Sequence, residues 1–458
     1  MNECLPAVLF IIIFSLSNCN MMNHSSGVVT RLYPECEDTP ASSSVLTWRI
    51  VAKVVSMMAG GLRSLDISRN TGIKIEDLCD IDHLDLHYLT IKECTSISAE
   101  GFLGLLNCQK NIQTLNIAGA RKILSGLKQQ SETIFEAMQN ITNIDISDNS
   151  IPHLNSMSNM SKLRKLTMNN TDSPGSAIVI TMGSLDTSSL QTLSMRKLAV
   201  SSAELGKIFQ KKSFGALIKL DLSKGAGDTI NDEVMSAVCS RLITLEHLDV
   251  SGNEMITDIG TLDLRDEVSR RSVMEVMEGR IQLGSKAEAA IVLDSKKIKL
   301  TVELLSKVDE AADKGTRLTN LKRLTHLDLS GTSISSLTLS HGLDSPDLRF
   351  LAASDCRGGL ISDQGIVEAC RRHRRLSDLR LASSCVTDLG LISCVSSLPR
   401  LTSLDLRRCL GVTSGCLSPL SHLAPQLQTL LLSGCPSITP DMLKCVSQKF
   451  FSLRKIDL

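Results

Sequence analysis

Leu245-Glu246-His247-Leu248-Asp249-Val250-Ser251-Gly252-Asn253 is the stretch that decides the fold. Apolar residues hold its first, fourth and sixth places, and Asn closes the ninth. In extended chain, side chains alternate between faces, so Leu248 and Val250 point one way while His247 and Asp249 point the other. A strand this short is unstable alone and needs neighbours. Near-copies of the phrase begin at Leu62, Leu86, Ile112, Ile141, Leu163, Leu190, Leu217, Leu324, Leu348, Leu376, Leu401, Leu427 and Leu453. Apart from one gap, successive starts lie 22 to 29 residues apart. A period of this size marks stacked supersecondary units, each burying the apolar face of the one before.

A second signature follows several copies: Ile230-Asn231-Asp232, Ile256-Thr257-Asp258, Ile361-Ser362-Asp363, Val386-Thr387-Asp388, Val412-Thr413-Ser414 and Ile438-Thr439-Pro440. The polar residue in the middle reads as a helix N-cap. Helical spacing comes next, in Val234/Val238/Leu242, Leu389/Ile392/Val395, Leu417/Leu420/Leu423 and Met442/Val446. Each unit is therefore predicted to be a short strand, a turn and a helix. At the ninth place an inward Asn bonds exposed backbone groups, and a small buried Cys fills the same slot.

This phrase and period resemble those of leucine-rich repeats. The resemblance implies an α/β solenoid, a horseshoe with a parallel concave sheet and a helical convex wall. The cysteines resemble those of the cysteine-containing class, with Cys94, Cys356, Cys409 and Cys435 at the turn and Cys108, Cys239, Cys370, Cys394 and Cys445 late in the helices. That class is best known from substrate-recognition subunits of ubiquitin ligases, especially F-box proteins. What the resemblance implies is an adaptor that captures a protein on its concave face, with free cysteines and a cytoplasmic or nuclear location. No F-box is recognisable in the first 60 residues, and Leu46-Thr47-Trp48-Arg49-Ile50 fits a half-repeat cap better.

Composition agrees with an array. Of the 458 residues 42% are hydrophobic but only 3% aromatic, so the core must be built from Leu, Ile and Val. Lys plus Arg and Asp plus Glu both number 49, so no global field draws the chain to nucleic acid or anionic lipid. The 15 cysteines contain no Cys-x-x-Cys spacing, which removes zinc-ribbon and thioredoxin-type readings.

Five regions follow. Residues 1–20 carry an apolar run over 5–16, too short for a comfortable membrane span and similar to a signal-peptide core, although Glu3 and the lack of Lys or Arg oppose a signal. A buried cap and a misplaced chain start are the alternatives. The secretory alternative makes the chain a secreted or cell-surface recognition protein. Residues 21–60 read as a cap or half-repeat, 61–260 as repeats, 261–320 as a charged, helix-prone insertion and 321–458 as cysteine-containing repeats. Starts on either side of the fourth region are 79 residues apart, so two degenerate repeats compete with the insertion.

Catalytic signatures are missing: there is no GxxxxGK[ST], HExxH or GxSxG, and Gly225-Ala226-Gly227 lacks the third glycine of a dinucleotide loop. The reading is a binding protein, without cofactor. Three surface features stand out. Asp66, Asp145, Asp221, Asp249, Asp328, Asp405 and Asp457 share the fifth place, as an acidic stripe or as plain solvation of the sheet. Arg371, Arg372, Arg374 and Arg375 crowd a helix exit, where cations also complement the helix dipole, with Arg380, Arg400, Arg407 and Arg408 in neighbouring turns. His247 with Asp249 and His326 with Asp328 occupy equivalent places and offer metal-ligand chemistry or a pH switch, against which stands an ordinary polar surface. For partner binding the sequence favours Phe350, Arg380, Arg407, Arg408 and Leu431, because apolar, aromatic and arginine groups break an otherwise polar face.

Overall fold

The computed structural model describes residues 28–31, 62–69, 85–124, 136–150, 155–171, 175–227, 229–262, 318–356, 361–439 and 449–457. Segment 1–20, the 21–60 cap apart from its one strand, nearly all of 261–320 and the Met442/Val446 helix lie outside these. Two compact units are present, Met1–Leu190 and Gln191–Leu458.

In the first unit, strands β1 (Val28–Arg31), β2 (Leu62–Asp66), β3 (Tyr88–Thr90), β4 (Thr114–Asn116), β5 (Asn143–Asp145) and β6 (Lys165–Thr167) pair in parallel, each with the next. Helices α1 (Ala99–Cys108) and α2 (Gly175–Ser184) belong to it. The second unit repeats the scheme with β7 (Thr192–Ser194), β8 (Lys219–Asp221), β9 (His247–Asp249), β10 (His326–Asp328), β11 (Phe350–Ala352), β12 (Asp378–Arg380), β13 (Ser403–Asp405), β14 (Thr429–Leu431) and β15 (Lys455–Asp457), again all parallel. Its helices are α3 (Ser202–Lys211), α4 (Asp232–Arg241), α5 (Asp258–Leu262), α6 (Ser336–His341), α7 (Asp363–Arg372), α8 (Asp388–Val395) and α9 (Leu417–Leu423).

Fourth and sixth places form the core as expected. Leu89 with Ile91, Leu220 with Leu222, Leu379 with Leu381, Leu404 with Leu406 and Leu430 with Leu432 are all buried. The eighth place is left-handed in every copy from Leu62 to Leu427. Gly119, Gly252, Gly331 and Gly434 hold it in four, and residues such as Glu93, Asp148, Ser383 and Arg408 accept the same positive φ in others. This reversal delivers the ninth residue under the sheet edge. Asn149 there donates to the carbonyls of Ile117 at 2.9 Å and Ile146 at 3.1 Å, and Asn253 to those of Leu222 at 3.0 Å and Val250 at 2.7 Å. Cysteine performs the inter-repeat half of this task. The thiols of Cys94, Cys409 and Cys435 donate to Ile67, Leu381 and Leu406 O at 3.1, 3.2 and 3.1 Å, each acceptor being the sixth residue of the preceding copy.

Asn231, Ser362, Thr387 and Thr413 sit at helix N-caps, in line with the sequence. The Asp beside them does something the sequence did not announce. Asp232 accepts from the backbone N–H and hydroxyl of Thr257, both at 2.7 Å. Asp363 accepts in the same way from Thr387, at 2.7 and 2.6 Å, and Asp388 from Thr413, at 2.8 and 2.5 Å. Each carboxylate thus grips the cap of the following repeat.

The same grip crosses residues 263–317. Asp258 accepts from Ser335 N at 3.0 Å and Ser335 Oγ at 2.5 Å, and β9 pairs with β10 in register, His247 opposite His326 and Asp249 opposite Asp328. The repeats beginning at Leu245 and Leu324 are therefore direct neighbours in the sheet.

One helical stripe is corrected. In α8 Leu389 is 78% exposed and Ile392 only half-buried, while Gly390, Leu391, Cys394 and Val395 face inward. The close approach of Gly390 to Asp363 turns that side of α8 inward, one residue away from the Leu389/Ile392 stripe.

Candidate interaction surface

Third and fifth places of the phrase stand on the sheet face opposite the core. In the second unit the register brings the third places of three successive repeats into a row: His247, His326 and Phe350. Their rings stack. His247 and His326 have centroids 4.1 Å apart at 21°, and His326 and Phe350 5.8 Å apart at 18°. The next strand contributes from its fifth place, putting the Arg380 guanidinium over the Phe350 ring at 4.7 Å from its centroid. Asp378 on the same strand orients that guanidinium, accepting from Nε at 3.1 Å. The row thus ends in a cation on an aromatic face, a favourable arrangement because the ring face is the negative end of its quadrupole.

The imidazoles in this row are neutral at pH 7. Burial lowers the His247 pKa to about 4, helped by His326 and Lys219. Burial likewise holds His326 below its ordinary value, with Lys219 and Arg349 adding to the effect. Parallel stacked rings do not aim their nitrogens at a shared point. Among the described residues no three His, Cys, Asp or Glu side chains are grouped to hold a metal ion, and the His247, Asp249, His326 and Asp328 set is a stacked pair beside two turn-capping carboxylates.

The acidic stripe is explained by the backbone. Asp66, Asp145 and Asp221 accept from both the amide and hydroxyl of the Ser two residues on, at 2.6 to 3.1 Å, and Asp249 and Asp328 from the corresponding Ser amides at 2.9 Å. Each closes an Asx-turn that leads into the left-handed residue. Asp405 departs furthest from an exposed acid, being 3% exposed beneath Arg407. That arginine donates from Nε to Oδ1 at 2.9 Å and from a terminal nitrogen to Oδ2 at 2.7 Å, and the carboxylate holds its pKa above the ordinary value. The recurring Asp-x-Ser was visible in the sequence as DIS, DLS and DVS.

The arginine cluster does not gather at one point. Arg371 and Arg372 pair with Glu368 within α7, and Arg375 pairs with Asp347. His373, in the middle of the run, is buried, its Nδ1 against Ala369 O at 2.7 Å and its Nε2 accepting from Ser345 N at 3.3 Å. Arg380 stands on the sheet face, Arg407 lies in the turn after β13 bonded to Asp405, and Arg408 occupies a left-handed position and reaches Asp355 at 2.8 Å. Leu431 is half-buried on the face that carries Arg380 and Asp405. Phe350 is likewise half-buried. Sequence reading found Phe350 and Arg380 separately but missed that His247 and His326 continue their row; the signal was His, His, Phe at the third place of three copies.

Parallel strands in register, the left-handed eighth residue and the Asn or Cys ladder together define the architecture. A family model described as leucine rich repeat matches residues 241–264. The chain folds as a leucine-rich-repeat solenoid. Among solved structures, a chain of the yeast Rad7 and Elc1 complex is 16% identical, with a TM-score of 0.50 over 87% of this chain and 90% of that one. An internalin from Listeria monocytogenes is 14% identical, with a TM-score of 0.49 over 91% and 94%. A leucine-rich-repeat protein from Leptospira interrogans is 14% identical, with a TM-score of 0.47 over 87% and 84%. At these identities the likeness is one of fold. No helix among the described residues is long and apolar enough to cross a membrane.

Proposed function

We propose that this leucine-rich-repeat chain is a non-enzymatic protein-binding scaffold whose partner docks on the open, concave face of the repeats beginning at Leu348 to Leu427. The observation that carries the reading is the Phe350 and Arg380 pair: an aromatic ring and a guanidinium held ready on a sheet face where Asp378 orients that guanidinium and Asp405 is paired with Arg407. Preorganised aromatic and arginine anchors are the usual centres of binding energy. Arg407, Arg408 and Leu431 extend the surface. The cysteine placement supports a finer reading, an intracellular adaptor that recognises substrates for a ubiquitin ligase. Replacing Phe350, Arg380 and Arg407 together by Ala is expected to abolish capture of the partner with little change in unfolding midpoint. Retained capture by that folded variant, with loss instead on mutating the repeats from Leu62 to Leu163, overturns the reading.

One observation favours a second reading, a secreted or cell-surface recognition protein. Cys370 and Cys394 are joined as a disulfide, where the cysteine-class resemblance implied free thiols, and disulfides persist in oxidising compartments. The apolar run at residues 5–16 points the same way. Mapping the amino terminus of the mature protein by mass spectrometry separates the readings.

A further inference from the structure

Cys370 and Cys394 occupy matching places late in α7 and α8, and both are fully buried. Their Cα atoms are 5.5 Å apart, inside the range a disulfide spans without backbone movement. The spacing is fixed by other groups. At the opposite end of the same helix pair Asp363 grips Thr387, and Gly390 lets α8 approach so closely that a Cβ there would collide with the Asp363 side chain. The helices are thus held at bonding separation whether or not the sulfurs are joined. Buried Cys356, Cys409, Cys416 and Cys435 take no part in a disulfide.

We propose that Cys370 and Cys394 form a redox-responsive staple, a disulfide under oxidising conditions and a dithiol under reducing ones, that locks together the helices behind β11 and β12. Those are the strands that bear Phe350 and Arg380, but the staple does not depend on what docks there. Oxidation proceeds by thiol–disulfide exchange with a small disulfide such as oxidised glutathione. One cysteine thiolate attacks it and expels a glutathione thiolate. The second cysteine then attacks the mixed disulfide and expels the other, so two electrons and two protons leave the protein and two glutathione thiols form. Because the sulfurs already lie together in a packed site, bonding needs no rearrangement and reduction leaves no new cavity. Entry of glutathione requires only local opening of the carboxy-terminal turn of α8.

The test equilibrates the full chain in reduced or oxidised glutathione, quenches in acid, alkylates and maps peptides by mass spectrometry. A Cys370–Cys394 linked peptide should dominate in the oxidised sample and give way to two alkylated cysteines in the reduced one. The unfolding midpoint should rise by roughly 5–10 °C on oxidation. That difference should vanish in Cys394→Ala, whatever the variant's own midpoint, and persist in Cys108→Ala. No linked peptide after oxidation, a linked peptide that survives reduction, or a redox-dependent midpoint in Cys394→Ala would each overturn the proposal.

Discussion

Asp258 accepts hydrogen bonds from the amide and hydroxyl of Ser335, 77 residues further along the chain, and from the Thr338 hydroxyl, in a site wholly closed to solvent. Burial pushes the Asp258 pKa up, and the hydrogen bonds from Ser335 and Thr338 act against that rise. Asp258→Ala leaves that amide and two hydroxyls buried without their acceptor and should cost about 2–4 kcal/mol, from the desolvation cost of unpaired buried groups. Asp258→Asn, whose oxygen still accepts, should cost less. Urea unfolding of the two variants checks the order.

Because that grip and the β9 with β10 pairing bypass residues 263–317, replacing 264–316 by a short Gly and Ser linker should leave cooperative unfolding of the second unit in place. A chain that loses its strand signal by circular dichroism on this replacement would show the segment to be needed by the sheet.

Register makes a sharper prediction. Leu404 is fully buried and Leu431 lies on the other face. Leu404→Ala should cost about 2–5 kcal/mol through lost transfer energy and the cavity left behind. Leu431→Ala should stay within about 1 kcal/mol, since little core volume is removed. Chemical denaturation curves of both proteins decide it, and equal costs would place the strand one residue out of register.

Thiol chemistry should divide the cysteines by depth. Burial pushes the Cys356 and Cys416 thiols up to about 12 and raises Cys409 and Cys435, so all four are protonated at pH 7. Exposed Cys108 and Cys385 should alkylate in the native protein within minutes, the buried four only after unfolding. Timed alkylation read by mass spectrometry distinguishes the groups.

The stacked imidazoles give the pH dependence a sign. His247 has a folded value of about 4 against an ordinary value of 6.5, so between those values the unfolded chain binds more protons than the native one. Its contribution to stability is complete above about pH 6.5 and is lost as the pH falls toward 4. Proton NMR titration should place its midpoint well below that of an exposed histidine, and His247→Phe should flatten the acid limb of the stability curve.

Much of this was legible because the repeat imposes one environment many times. Inward leucines could be read from fourteen copies of the phrase and the helix caps from six. What escaped depends on contacts between copies. The grip of Asp363 on Thr387 looks like a capping dipeptide in either repeat alone, and the inward face of α8 is turned by the approach of Gly390 to Asp363 in the preceding repeat. The row from His247 to Arg380 escaped for the same cause: its members sit in four repeats, and Arg380 joins from a different place in the phrase. His373 lies between the arginines of the helix exit, yet its ring turns inward to bond the backbone of α7 and of the loop before β11.

The interchange of Asn and Cys at the ninth place also sets how the molecule ages. Where Asn149 and Asn253 hold the turn, the amide has no oxidation chemistry open to it. Where Cys409 and Cys435 hold it, a peroxide that reached the sulfur would climb toward sulfinic acid and replace a thiol donor with an anion facing a carbonyl. At the ninth place oxidative injury is therefore open only to the thiol-held turns, and burial of Cys409 and Cys435 makes it wait until those turns open.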